Sequence, residues 1–154
     1  MREFGETDKK KKSKRIQLAE NPAGLSETAL AELRSTVADS LKDGYLPCGL
    51  AWAIADKAGV PRIAVGSIAD RMGVRITECL LGCFKVDKTP FIDTPLEPLN
   101  EAVVKAIDEM KVADRLTCSE VCELARKHKV KPLTIADKIS ANGWKVHSCQ
   151  LGCF

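Results

Sequence analysis

Aromatic residues make up only 5% of this 154-residue chain. So few rings argue against a surface on which successive single-stranded bases stack. Enzyme signatures are missing as well, since the sequence has no glycine-rich phosphate loop, no nucleophile elbow and no carboxylate paired with a histidine at helical spacing. We therefore expect that the protein is not an enzyme.

Long apolar segments are also absent, and the first residues are hydrophilic. The sequence thus predicts neither a signal peptide nor a membrane span, and the expected location is cytoplasmic with no membrane partner. Cytosolic reductants oppose structural disulfides. The seven cysteines are therefore expected to be reduced thiols, metal ligands or redox groups.

The small net charge of +3 is unevenly distributed along the chain. Residues 1–15 hold seven basic and three acidic side chains, which leaves 17 basic against 18 acidic in the rest. This block is predicted to repel itself into a disordered tail, which acts either as a nucleic-acid arm or as a solubilising segment. In the body, residues 113–154 carry seven basic and four acidic side chains, so a phosphate-binding face is expected there.

The chain repeats itself with a period of 70 residues. The sequence C-L-L-G-C-F at residues 79–84 returns as C-Q-L-G-C-F at residues 149–154. The same shift superposes Leu46 on Leu116, Cys48 on Cys118, Ala55 on Ala125, Val60 on Val130 and Gly73 on Gly143. The repeat predicts two modules of about 60 residues, each with a modest core.

Each repeat predicts the same order of helix, short strand, helix, helix and strand. Apolar residues at helical spacing indicate the helices, and an alternating pattern after Gly73 and Gly143 indicates the last strands. The predicted organisation is a basic tail at residues 1–24, modules at 25–85 and 99–154, and a proline-containing linker at 86–98.

This order, and the residues at its central turn, resemble the winged helix-turn-helix superfamily. The resemblance rests on a small residue in the second helix, a glycine in the turn, and apolar residues that seat the third helix, namely Ala55, Gly59, Val60, Val65 and Ile68. It implies a mainly α fold with short β-strands, built of tandem duplicated winged helix-turn-helix modules. The second module departs from the pattern at Lys129, in place of the turn glycine, and at Lys138, where an apolar residue is expected.

The resemblance also implies which side chains contact DNA. In the first module they are Arg62, Ser67, Arg71 and Arg75, and in the second Lys131, Thr134, Lys138 and Lys145. Arginine reads guanine edges, whereas lysine and threonine more often anchor phosphates. Solvated charges on amphipathic helices are the alternative interpretation of each.

The cysteines suggest a metal or redox site. One candidate set of four thiolates is Cys118, Cys122, Cys149 and Cys153, and another is Cys79, Cys83, Cys149 and Cys153. Either set offers ligands for zinc or an iron–sulfur cluster. Two alternatives stay open: small apolar cysteines packed in a core, and a reversible thiol switch.

The leading hypothesis is a DNA-binding protein that regulates transcription, with DNA as its partner. The first alternative is a protein-interaction or scaffold module, which the balanced charge of the first repeat favours. The second is a cysteine-based metal or redox sensor.

Overall fold

The structure, a computed structural model, describes residues 17–84 and 96–154. These residues form six helices and one short two-stranded sheet, which confirms the mainly helical class with short strands. In chain order the elements are α1 Glu27–Asp39, β1 Tyr45–Pro47, α2 Cys48–Ala58, α3 Arg62–Arg71, β2 Arg75–Thr77, α4 Glu101–Val112, α5 Cys118–His128 and α6 Pro132–Ala141. Residues 1–16 of the predicted basic tail and residues 86–95 of the predicted linker lie outside the described residues.

The chain divides into two compact units. Unit 1 holds residues 17–78 together with Gln150–Phe154, and unit 2 is Cys79–Cys149. The turn at residues 79–84 therefore belongs to the unit that contains the second repeat's helices, and the C-terminal turn belongs to the unit of the first repeat. The sequence-based boundaries kept each turn with its own repeat, and the compact units assign them the other way.

Local signals start the elements of unit 1. The Ser26 hydroxyl accepts a hydrogen bond from the Ala29 amide and caps α1. Strands β1 and β2 pair in parallel, with buried Leu46 opposite Ile76. Glu78 follows β2 with a positive φ of 51°, which ends the strand earlier than the predicted alternation. The described part of unit 1 contains no antiparallel hairpin after β2 that would form a wing.

Helix α3 is covered on nearly all sides. Six consecutive residues, 64–69, are buried. A Cβ added to Gly66 would lie 2.7 Å from the carbonyl carbon of Leu151, and it would overlap the carbonyl oxygen. Gly66 therefore lets the C-terminal turn of unit 1 pack directly on the helix backbone.

Unit 2 uses stronger caps for a similar arrangement. The Asn100 side chain caps α4 by accepting from the Val103 amide at 2.9 Å, and the Thr117 hydroxyl caps α5 by accepting from the Glu120 amide at 3.2 Å. The segments of unit 2 that correspond to β1 and β2 form only a single parallel bridge, between Thr117 and His147. The predicted strand after Gly143 is thus present only as this bridge among the described residues.

The turn between α5 and α6 depends on a lysine in a glycine-like conformation. Lys129 has φ 56° and ψ 35°, close to the φ 67° and ψ 31° of Gly59 at the matching turn of unit 1. The following amide closes both turns in the same way, Val60 to Ala55 and Val130 to Ala125, each at 3.0 Å. Unit 2 therefore forms the same turn with Lys129 in place of a glycine. Lys129 has to adopt a left-handed conformation, which is unfavourable for a residue that has a Cβ.

Replacing Lys129 by glycine should raise the free energy of unfolding of unit 2 by about 0.5–1 kcal/mol, because relief of left-handed strain exceeds the added chain entropy of glycine. The control is Lys127→Gly, which removes the same charge from the exposed helical part of α5 and should cost about 1 kcal/mol. Urea unfolding of both variants measures the difference. Equal destabilisation by both changes would contradict the strained conformation of Lys129.

Candidate functional site

Helix α3 is the predicted DNA-reading helix of the first module, and its polar side chains contact other residues of unit 1. Ser67 is only 2% exposed, and its hydroxyl donates to the Ala19 carbonyl at 2.8 Å. Arg71 forms an ion pair with Glu20 at 3.0 Å. Ser67, a candidate for DNA contact, is therefore covered by residues 19–20 in this structure.

Arg62 is held by three neighbours in unit 1. Its guanidinium lies 3.6 Å from the centroid of the Trp52 ring, a cation–π contact. It also donates to the Gln150 side chain at 2.7 Å and lies 3.6 Å from an Asp56 oxygen. Arg75 is half-buried in β2. The four first-module candidates are therefore placed within or against the packed unit.

The second-module candidates differ from one another. Thr134 is 4% exposed, and its hydroxyl has no hydrogen-bond partner among the described residues, so this candidate for DNA contact is buried as well. Lys138 is half-buried, while Lys131 and Lys145 are exposed. Position 138 was expected to be apolar, and Ile135 and Ile139 supply the buried side of α6 in its place.

A cluster of cations surrounds the turn between α5 and α6. We name residues 126–131 the basic turn: within these six positions Arg126, Lys127, Lys129 and Lys131 are all exposed. Arg126 pairs with Glu123, and no described carboxylate pairs with the three lysines. Sequence reasoning gave only Lys131 a role here, although the charge run was visible.

The start of α6 adds a second source of positive potential. Lys131 is the residue that precedes the helix, and its side chain makes no capping hydrogen bond. The first amides of a helix lack intrahelical acceptors and carry the positive end of the helix dipole. The basic turn therefore joins three lysine charges to a helix end that favours an anion.

The cysteines are divided between the units. Unit 1 contains Cys48 and Cys153, and unit 2 contains Cys79, Cys83, Cys118, Cys122 and Cys149. Since both predicted four-cysteine sets include Cys153, neither set lies within one unit. Among the described residues, no three Cys, His, Asp or Glu side chains are grouped so that they could hold a metal ion. Zinc or an iron–sulfur cluster stays a prediction, and we derive no chemistry from either.

Two thiols in unit 2 form a pair. The Gly82 amide donates to the Cys79 carbonyl at 2.9 Å, closing a tight turn in which Gly82 has φ 65°. The Cys83 thiol hydrogen-bonds to the Cys79 sulfur and lowers the pKa of Cys79 to about 6, against the opposing effect of burial. The same hydrogen bond and burial raise the pKa of Cys83, so the pair shares a proton that stays on Cys83. We name Cys79 and Cys83 the thiol pair.

Other groups of unit 2 surround this thiol pair. The charges of Cys149 and Cys122 act on Cys83, and that of Cys149 also acts on Cys79. A Cβ on Gly82 would lie 2.7 Å from a methyl carbon of Leu133, the second residue of α6. The turn that holds the thiol pair thus packs against the start of α6.

The comparisons give no relative from which a role could be transferred. No protein-family description, no curated protein and no solved structure matches the chain. Within residues 17–84 and 96–154, every helix is too short or too polar to span a bilayer.

Proposed function

We propose that unit 2 binds DNA through the basic turn and the exposed residues of α6, and that the protein is a transcription regulator. The observation that carries the proposal is the cluster of four exposed cations within residues 126–131, three of which have no carboxylate partner among the described residues. Exposed lysines that release counterions from phosphates supply most of the affinity of such surfaces.

We further propose that the two units are duplicated winged-helix-like modules. The spacing of the elements supports this, because α2 and α5, and likewise α3 and α6, begin and end 70 residues apart. In each unit the turn between the two helices begins with a residue in the left-handed conformation, Gly59 in unit 1 and Lys129 in unit 2. In helix-turn-helix proteins the second of these helices enters the major groove, which makes α6 the recognition helix.

The direct contacts proposed for unit 2 differ from those that the sequence suggested. Lys131, Lys145 and the half-buried Lys138 remain as contacts, and Lys127 and Lys129 join them. Thr134 is left out because its hydroxyl is buried. Lysines at a turn and a helix start anchor phosphates, which positions the protein on the duplex, and exposed Ser140 and Asn142 are the polar groups that remain for base edges.

Unit 1 has a different proposed role. Its helix α3 is covered by the C-terminal turn and by residues 19–20, and this favours a protein-interaction or scaffold function for unit 1. The two functions are compatible in one chain, with DNA held by unit 2 and a protein partner by unit 1.

Fluorescence anisotropy of labelled duplex DNA tests the proposal. The reduced full chain is titrated over a salt series against nonspecific competitor, beside a chain that begins at Ile16 and so lacks the basic block of the tail, residues 1–15. We expect both chains to bind, with a steep loss of affinity as salt rises. Binding that disappears with the tail would refute a DNA-binding role for unit 2 and leave an interaction protein with a charged arm.

A further inference from the structure

The C-terminal turn of unit 1 meets the rest of that unit through three consecutive residues. The Gln150 side chain accepts a hydrogen bond from the Arg62 guanidinium at 2.7 Å. The Leu151 side chain is 1% exposed. A Cβ on Gly152 would lie 2.5 Å from a methyl carbon of Leu18, so any side chain at this position would displace Leu18. The turn is therefore held as a bound peptide is held, by one polar anchor, one apolar anchor and one close approach.

Unit 1 offers this turn a prepared surface. We name the surface the α3 site and define it by four residues: Leu18, Arg62, Ile63 and Gly66. Gly66 lets the Leu151 backbone lie directly on the helix, because a Cβ on Gly66 would overlap the Leu151 carbonyl oxygen. The Arg62 guanidinium is oriented by the Trp52 ring, whose centroid lies 3.6 Å away, and by an Asp56 oxygen at 3.6 Å. Since this donor is already oriented, an arriving acceptor immobilises little additional side chain.

The matching positions of the other repeat lack this arrangement. The counterparts at a shift of 70 residues are Leu80 for Gln150, Pro132 for Arg62 and Ala136 for Gly66. Leu80 offers no side-chain acceptor, Pro132 offers no side-chain donor, and Ala136 carries a Cβ. The polar anchor and the interior glycine therefore occur together in the α3 site and its occupant, and their counterparts lack both. This co-occurrence indicates that the α3 site selects its peptide by sequence.

We propose that the α3 site binds a segment of a partner protein in which a glutamine or glutamate, a leucine and a glycine are consecutive, and that the C-terminal turn occupies the site as an intramolecular competitor. The proposal deepens the interaction role proposed for unit 1 and rests on it, and it does not depend on DNA binding by unit 2. A glutamate suits Arg62 best, because its carboxylate adds ion pairing to the hydrogen bond that an amide also accepts.

The contact made by the C-terminal turn is small enough for a partner to replace it. The turn has five residues, Gln150–Phe154, whereas a stable protein interface uses about 20–30 residues on each side. Covalent attachment gives the turn an effective concentration on the order of millimolar. A partner segment must therefore be abundant or must make further contacts outside the α3 site, and weakly matched peptides are excluded.

NMR titration of the full chain tests the α3 site. In isotope-labelled Leu151→Ala the competitor loses its apolar anchor, and the reduced protein is titrated with the capped peptide C-Q-L-G-C-F, the sequence of residues 149–154. We expect the indole N–H signal of Trp52, which contacts Arg62, to shift saturably, while that of Trp144 in unit 2 stays in place. The unchanged chain should bind this peptide about tenfold more weakly, because its own leucine competes.

A second peptide and a second substitution test the polar anchor. The peptide C-L-L-G-C-F, the sequence of residues 79–84, differs from the first only at the position of Gln150. We expect it to bind Leu151→Ala about tenfold more weakly, since Arg62 has no acceptor, whereas C-E-L-G-C-F should bind at least as tightly as the first peptide. In Leu151→Ala/Arg62→Met the glutamine and leucine peptides should bind alike.

Two results of the titrations would overturn the α3 site. One is the absence of a saturable Trp52 shift in both chains, and the unchanged chain keeps this test valid if Leu151→Ala unfolds. The other is equal affinity of the glutamine and leucine peptides for a chain that retains Arg62. A protein partner that binds the unchanged and Leu151→Ala chains equally well would also overturn the α3 site, while the interaction role of unit 1 would stand.

Discussion

Replacing Gly66 by alanine should destabilise unit 1 by about 2 kcal/mol, although alanine is the better helix former by about 1 kcal/mol. The new Cβ would lie 2.7 Å from the carbonyl carbon of Leu151, and a backbone group cannot turn aside as a side chain would. The variant must shift α3 or release residues 150–154. Release exposes Leu151, which is 1% exposed, at a cost of about 1.5–3 kcal/mol.

The matched control for Gly66→Ala is the same change in a chain that ends at Cys149. Without the C-terminal turn the clash is absent, so the substitution should stabilise the shortened chain by about 1 kcal/mol. Thermal or urea unfolding of the four proteins gives the coupling energy, expected near 3 kcal/mol as the difference between the two effects. The same sign in both backgrounds would contradict packing of the C-terminal turn on α3.

Much of the local structure could be predicted from the sequence because its causes are local. The starts of α2 and α5 at Cys48 and Cys118 follow from Pro47 and Thr117, which suit a helix entry whatever surrounds them. The mainly helical class follows from apolar spacing in the same way. The last strand of each repeat was predicted too long, because Glu78 and Ser148 adopt positive φ angles that no alternating pattern reveals.

The assignment of the turns to units could not be predicted. The two C-x-L-G-C-F turns are nearly identical, so pattern alone cannot show which helices each one packs against. One signal was present: Gly66 lies in the middle of a helix, where glycine costs about 1 kcal/mol, while the matching Ala136 carries no such cost. An interior helical glycine indicates a close backbone approach, and Leu151 makes that approach.

Tertiary packing decides which candidate site residues are exposed, and a sequence pattern does not show that packing. Ser67 in α3 and Thr134 in α6 were both candidates for DNA contact, and both are buried. Their small size is what allows neighbouring segments to cover them. The basic turn, in contrast, is exposed as a solvated charge run usually is, and the composition had already located excess positive charge in the second repeat.

Reversing two charges of the basic turn should have the largest effect on DNA binding. In Lys129→Glu/Lys131→Glu, two exposed cations that we propose bind phosphates become anions that repel them. We expect affinity for duplex DNA to fall by about 100-fold at low salt, and the slope of log affinity against log salt to lose about two units, since each phosphate contact contributes about 0.9. Anisotropy titrations over a salt series measure both quantities.

The control pair for this double variant is Lys57→Glu/Lys111→Glu, which changes the net charge equally at exposed positions of α2 and α4. A general electrostatic attraction between protein and DNA would weaken alike in both double variants at low salt, because weakly screened long-range attraction depends mainly on the net charge of the protein. If DNA contacts the basic turn, binding should weaken mainly in Lys129→Glu/Lys131→Glu. The salt slope of Lys57→Glu/Lys111→Glu should then stay near that of the unchanged protein. Equal losses in both would refute the basic turn as the contact surface, even if the protein binds DNA.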